Sequence, residues 1–91
     1  MTTLYRRHPE VRLTAVEGHG VVLHLAARRY YTMTETGLAI FEALVAPRTV
    51  DDLVGVMREQ YDVSETRAAE SVQEFLDRCC AAHLLITETT A

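Results

Sequence analysis

The sequence predicts an α+β domain in which a three-stranded antiparallel sheet is followed by three helices. Before Thr34 the residues read as short strands, with clear alternation at Val11–Val16, and beyond it the apolar residues recur at spacings of three and four. Glycines at positions 18 and 20 interrupt the alternating part and mark a tight reversal. The pattern therefore changes period once, from two to 3.6, near the middle of the chain.

In the first predicted strand, Val11–Val16, Val11, Leu13 and Ala15 form one face, with Arg12 and Thr14 on the other. Glu17–Gly20 supplies the turn, since glycine takes positive φ without steric cost. Val21–Ala26 reads as a second strand, apolar enough to sit centrally. After a bend at Ala27 and Arg28, Arg29–Met33 forms a third, rich in the aromatic and β-branched residues that favour sheets. Thr34 then caps a helix with apolar positions Leu38, Phe41, Leu44 and Val45, and Pro47 ends it. Thr49 caps a second helix, with Asp51 and Asp52 at its positive end and Val50, Leu53, Val54, Met57 and Tyr61 as its stripe. Ser64 and Glu65 open the third and longest helix, whose buried face is Ala68, Val72, Phe75, Leu76, Cys79 and either His83 or Leu84. The whole reads as a single domain over residues 1–91, with 1–9 and 87–91 expected to be flexible because they have little to bury.

Composition narrows the function. With 48% hydrophobic and 24% charged residues the chain matches an ordinary globular protein rather than a disordered one. The formal charge of −4 produces no overall field that would attract a phosphate backbone. No apolar run approaches the ~18 residues of a membrane span, and the first ten residues lack the apolar stretch of a secretory signal. A cytoplasmic protein with no membrane partner is the expectation. Cys79 and Cys80 are adjacent, a placement that disfavours disulfide geometry and fits a reducing compartment.

Catalytic chemistry finds no support, and the expectation is no catalytic residue, no metal and no cofactor. His8, His19, His24 and His83 do not fall at ligand spacings with a cysteine or carboxylate. His24, in an apolar strand, reads as structural, and Cys79, on the third helix's apolar stripe, reads as a core residue. A winged-helix DNA-binding protein is the alternative from another class, since three helices beside a small sheet could build one. The third helix opposes it: Glu65, Glu70, Glu74 and Asp77 accompany only Arg67 and Arg78, where a recognition helix needs cations and amides.

Peptide recognition fits better. A strand edge carries unpaired N–H and C=O groups that an extended guest can use, while side-chain pockets add selectivity. In the strand Arg29–Met33, Tyr31 and Met33 share one face and Tyr30 and Thr32 the other. The tyrosines offer broad contact area, and the arginines either steer an acidic peptide or guard the edge. Core packing by the tyrosines is the competing reading, and the residues alone leave both open.

The run "RRYYTMTETG", then "FEALVAPRTVDDLVGVMREQYDV", then "AAESVQEFLDRCCAAHLL" resembles the PqqD-like family, the RiPP recognition elements that bind leader sequences of ribosomally made peptides. The likeness covers roughly residues 11–86 and rests on the order of loose motifs: the aromatic strand before a "TG", the "RTVDDL" helix start, the "YDV" turn and the "VQEFL" helix. The short chain looks most like the stand-alone leader-binding proteins of lasso-peptide biosynthesis. Thr34 stands where relatives commonly have asparagine, and Cys79 and His83 where they often have leucine and glycine.

The resemblance implies a non-enzymatic protein that binds its precursor's leader as an added strand, in a groove between the third strand and the third helix. Separate partners, a leader peptidase and a cyclase, would then act on the precursor. The alternative within the family is a PqqD peptide chaperone working with a radical-SAM enzyme in pyrroloquinoline quinone biosynthesis. On this basis Arg29, Tyr30, Tyr31, Thr32 and Met33 are the candidate docking strand. Phe75 is a candidate apolar wall, and Arg67, Ser71, Glu74 and Arg78 are candidate rim residues on one flank of the helix. The opposite flank, Ala69, Gln73 and Cys80, stays open as the alternative.

Overall fold

A computed structural model describes residues 2–90. Its elements run β1 (Thr2–Arg7), β2 (Val11–Val16), β3 (His19–His24), β4 (Arg29–Met33), α1 (Glu35–Ala43), α2 (Val50–Gln60), α3 (Glu65–Ala81) and β5 (Leu85–Thr90). The expected three-stranded antiparallel sheet is present as β2-β3-β4, followed by the three expected helices.

Two strands were not anticipated. β1 and β5 pair with each other as a separate antiparallel ribbon, from Thr2↔Thr90 to Arg7↔Leu85. The expectation of loose ends over 1–9 and 87–91 is thus replaced by paired backbone over most of both segments, while Met1 and Ala91 lie outside the described residues. The ribbon is tied to the body through backbone bonds and charge, and through Leu85, which lies in the core, and Tyr5, which packs against it. Tyr5 and Arg48 exchange N–H···O bonds of 2.7 and 2.9 Å, and the His8 N–H donates to the Leu84 carbonyl at 2.9 Å. Within the ribbon Arg6 meets Glu88 at 2.8 Å.

The β2–β3 hairpin closes through a two-residue loop in which Glu17 (φ 49°) and Gly18 (φ 83°) are both left-handed. Positive φ at both positions matches the primed turns whose twist suits a hairpin. This short loop starts β3 at His19 rather than the expected Val21, and Leu25 and Ala26 fall in the four-residue loop to β4. Arg28 (φ 56°) ends that loop, its N–H donating to the His24 carbonyl at 2.9 Å.

The helices begin where their capping residues stand. The Thr34, Thr49 and Ser64 side chains accept from the N–H groups of Gly37, Asp52 and Arg67 at 3.3, 3.1 and 3.2 Å. The Asp52 carboxylate returns a bond from the Thr49 N–H at 3.0 Å, completing a capping box. That bond holds the Asp52 carboxyl below its ordinary range. One core joins Val11, Val22 and Met33 of the sheet to Ile40, Phe41 and Leu44, then to Leu53, Val54 and Met57, and to Ala68, Val72, Leu76 and Cys79. Val45, expected on the buried stripe of α1, is 76% exposed because the helix ends at Ala43, well before Pro47, and Ile40 takes the inward position instead.

At the end of α3, His83 takes the left-handed position that glycine adopts most easily. The His83 N–H donates to the Cys80 carbonyl at 3.0 Å and the Leu84 N–H to the Cys79 carbonyl at 2.9 Å, a Schellman arrangement with His83 at φ 61°. His83 is therefore exposed and Leu84 is the buried residue of that pair. A side chain in the left-handed region carries steric cost that glycine avoids. His83→Gly is expected to raise unfolding stability by about 0.5–1 kcal/mol, after allowing for glycine's larger loss of backbone freedom on folding; a urea melt whose midpoint does not rise would contradict this.

Candidate functional site

β4 lies at the edge of its sheet, paired with β3 alone. Which of its backbone groups are free follows from the ladder. The Leu25 N–H donates to the Glu10 carbonyl at 2.9 Å, one step beyond the Val11↔His24 pair. Hydrogen-bonded and non-bonded pairs alternate in an antiparallel ladder, so Arg12, Thr14 and Val16 bond to Leu23, Val21 and His19. β3 then turns the backbone of Gly20, Val22 and His24 toward β4, where their partners are Met33, Tyr31 and Arg29. The N–H and C=O groups of Tyr30 and Thr32 consequently point outward along the open edge.

The side chains alternate the other way. Met33 is buried and Tyr31 half-buried on the face toward the helices, while Tyr30 and Thr32 stand exposed on the outer face. Beside the open edge, β4 and α3 bound a cleft of about 250 Å³, formed by Tyr31, Met33, Phe75, Arg78, Cys79 and Leu84, with Thr32, Thr34 and Ala82 at its margins. Gly37 sets the width at one end. A Cβ there would come within 2.9 Å of Cε1 of Phe75 and 3.5 Å of Cβ of Met33, so α1 can press against both only because position 37 lacks one. Next to the start of β4, and outside the cleft's lining, the His8 and His24 rings sit 4.7 Å apart, and His24 Nδ1 accepts the Ala27 N–H at 3.3 Å. Its lining is mainly apolar, from Tyr31, Met33, Phe75, Cys79 and Leu84, with Arg78 as the charged member.

Of the residues singled out in the sequence, Tyr31, Thr32, Met33, Phe75 and Arg78 meet at this cleft. The expected flank of α3 is the one turned to β4 from Phe75 onward, whereas Cys80, on the alternative flank, packs against the core. Arg67, Ser71 and Glu74 are not among the lining residues, and Arg29 and Tyr30 are exposed beside it. Thr34, Cys79 and Leu84, read in the sequence as a cap and as buried-face residues, also line it, as does Ala82. Ala82 was missed because it lies just past the helix, where the helical stripe no longer applies.

Neither cysteine near the cleft is a ready nucleophile. Burial pushes the Cys79 thiol up to about 12, with Cys80 alongside adding to the shift, and burial also raises Cys80. Neither thiol therefore has appreciable thiolate character near neutrality. Among the described residues no cluster of three His, Cys, Asp or Glu side chains could hold a metal ion. What the site offers is one apolar cleft, one guanidinium and an unpaired strand edge.

Comparison with known proteins agrees with this architecture. No curated protein matches the sequence significantly. Among solved structures, the chain described as TbiB1 in complex with the TbiA(beta) leader peptide superposes with a TM-score of 0.82 at 21% identity, over 94% of this chain and 98% of that one. A lasso peptide synthetase B1 complexed with the leader peptide superposes with a TM-score of 0.79 at 17% identity, over 90% and 96%. At such identities these likenesses show the shared fold. The sequence model of coenzyme PQQ synthesis protein D matches residues 19–85, well over half of the chain and spanning β3, β4 and all three helices. The chain belongs to the PqqD family.

Proposed function

We propose that this protein is a non-enzymatic adaptor of lasso-peptide maturation, which binds the leader of a precursor peptide as an added antiparallel strand along β4. It would hold the precursor for a separate leader peptidase and a separate cyclase. The observation that carries the reading is the coincidence of a free strand edge, at Tyr30 and Thr32, with an apolar cleft whose far wall is α3. A guest strand on that edge gains backbone bonds at Tyr30 and Thr32, and its alternate side chains turn inward over Tyr31 and Met33. The two similar structures are both described with a leader peptide bound, which supports the same use here.

The test is a titration with the fluorescein-labelled leader of the precursor encoded nearest to this chain, followed by anisotropy. Tyr31→Ala is expected to weaken binding by about 1–3 kcal/mol, as for an interface anchor, in a chain that still unfolds cooperatively. Loss of the fold without a binding-specific effect would make Tyr31 a core residue only. The family model's name favours one second reading, a peptide chaperone of pyrroloquinoline quinone synthesis acting with a radical-SAM enzyme. Titration with the precursor of that cofactor separates the two.

A further inference from the structure

We infer that the peptide taken up by this site is acidic, with a carboxylate of the guest held beside Tyr31 by Arg78 and a second acidic position favoured at the Arg29 end. The inference rests on the strand-addition reading above and adds the chemistry of what is selected. Its starting point is the distribution of the nine basic residues, all arginine. Five of their side chains are engaged: Arg6 with Glu88, Arg58 with Glu65, Arg7 with the Phe41 carbonyl, Arg12 with the Pro9 and Val11 carbonyls, and Arg48 with the Ala43 carbonyl. The other four, Arg28, Arg29, Arg67 and Arg78, make no side-chain hydrogen bond or ion pair among the described residues. Arg28 ends the loop before β4 and Arg29 opens that strand, while Arg67 and Arg78 stand on α3; of the four, Arg78 lines the cleft.

Arg78 is the one charged residue that lines the cleft, and no carboxylate lines it. The nearest acids on its helix do not neutralise it. Asp77 accepts from the Gln73 amide at 2.9 Å, and Glu74, one turn before Arg78, forms no ion pair with it. Arg29 shares the inward face of β4 with Tyr31 and Met33 by alternation, across from His24. An unpaired guanidinium beside an apolar cleft gains most from a carboxylate, through charge-assisted and often bidentate bonds. The net charge of −4 works against acidic guests in bulk, so the selection is local, made by these arginines alone.

The experiment uses the full chain against a displayed library of random dodecapeptides, with every binder remeasured on Thr32→Pro and on Arg78→Gln. Arg78 is exposed, so its loss leaves the fold intact. The expected result is that binders weakened by Thr32→Pro are enriched in Asp or Glu at a fixed place, and lose about tenfold in affinity on Arg78→Gln. In such binders, replacing that acid by lysine restores affinity toward Arg78→Glu. Binders that depend on Thr32 but show no acidic enrichment, and are indifferent to Arg78→Gln, overturn the inference and leave strand addition standing. A selection that yields no binder dependent on Thr32 overturns strand addition, and this inference with it.

Discussion

Thr32→Pro is expected to keep its fold and to lose about 100-fold in leader affinity, roughly 3 kcal/mol. The expectation follows from where the Thr32 N–H points. It is not part of the β3–β4 ladder, whose bonded residues on β4 are Arg29, Tyr31 and Met33. Proline is tolerated on an edge strand when its nitrogen faces away from the sheet, and Tyr31 before it already holds the extended backbone that a following proline requires. The guest meets the opposite situation. Its carbonyl finds no donor, and the pyrrolidine ring occupies the space through which it would approach. Two controls make the result specific. Thr32→Val retains the N–H and the β-branched shape, and should bind within a few-fold of the parent. Tyr31→Pro removes a bond inside the sheet and should unfold the chain instead. Leader affinity unchanged in a folded Thr32→Pro protein would end the strand-addition reading.

Much of what positions this edge is legible in the residues. β2 and β4 occupy the predicted spans because their alternation is clean, and the helices start at Thr34, Thr49 and Ser64 because each hydroxyl satisfies an N–H left over at the helix start. The flank of α3 that faces β4 was one of two open to periodicity, since a helix stripe flanked by Phe75 on one side and Cys80 on the other can roll either way. Tertiary contact shows the outcome at its C-terminal half: Phe75 packs close to Gly37 of α1 and, with Arg78, lines the cleft beside β4. The ribbon of β1 and β5 was not legible for a different reason. Its strands are largely polar and lie at opposite ends of the chain, so nothing local announces their pairing. His83 misled in the same way, because its helical spacing suggests burial while its left-handed backbone turns it outward.

Phe41→Ala is expected to cost about 3–5 kcal/mol of stability, the largest effect of any single truncation considered. The ring is fully buried in the core that joins the sheet to all three helices. It also anchors the terminal ribbon: the Arg7 guanidinium lies 5.0 Å from the ring centroid, and its Nε and Nη2 donate to the Phe41 carbonyl at 2.9 and 2.7 Å. Truncation leaves that carbonyl bonded but removes the surface on which the guanidinium rests, so a cavity and a lost cation–π contact add together. For a chain of this length, total stability is about 5–14 kcal/mol, and the loss consumes a large share of it. Arg7→Met separates the two contributions. It keeps apolar cover on the ring and removes the bonds to the carbonyl, and should cost about 1–3 kcal/mol. Urea denaturation of both variants measures this. A Phe41→Ala loss no greater than that of Arg7→Met would mean that the ring serves only the ribbon, and that the three helices pack on the sheet without it.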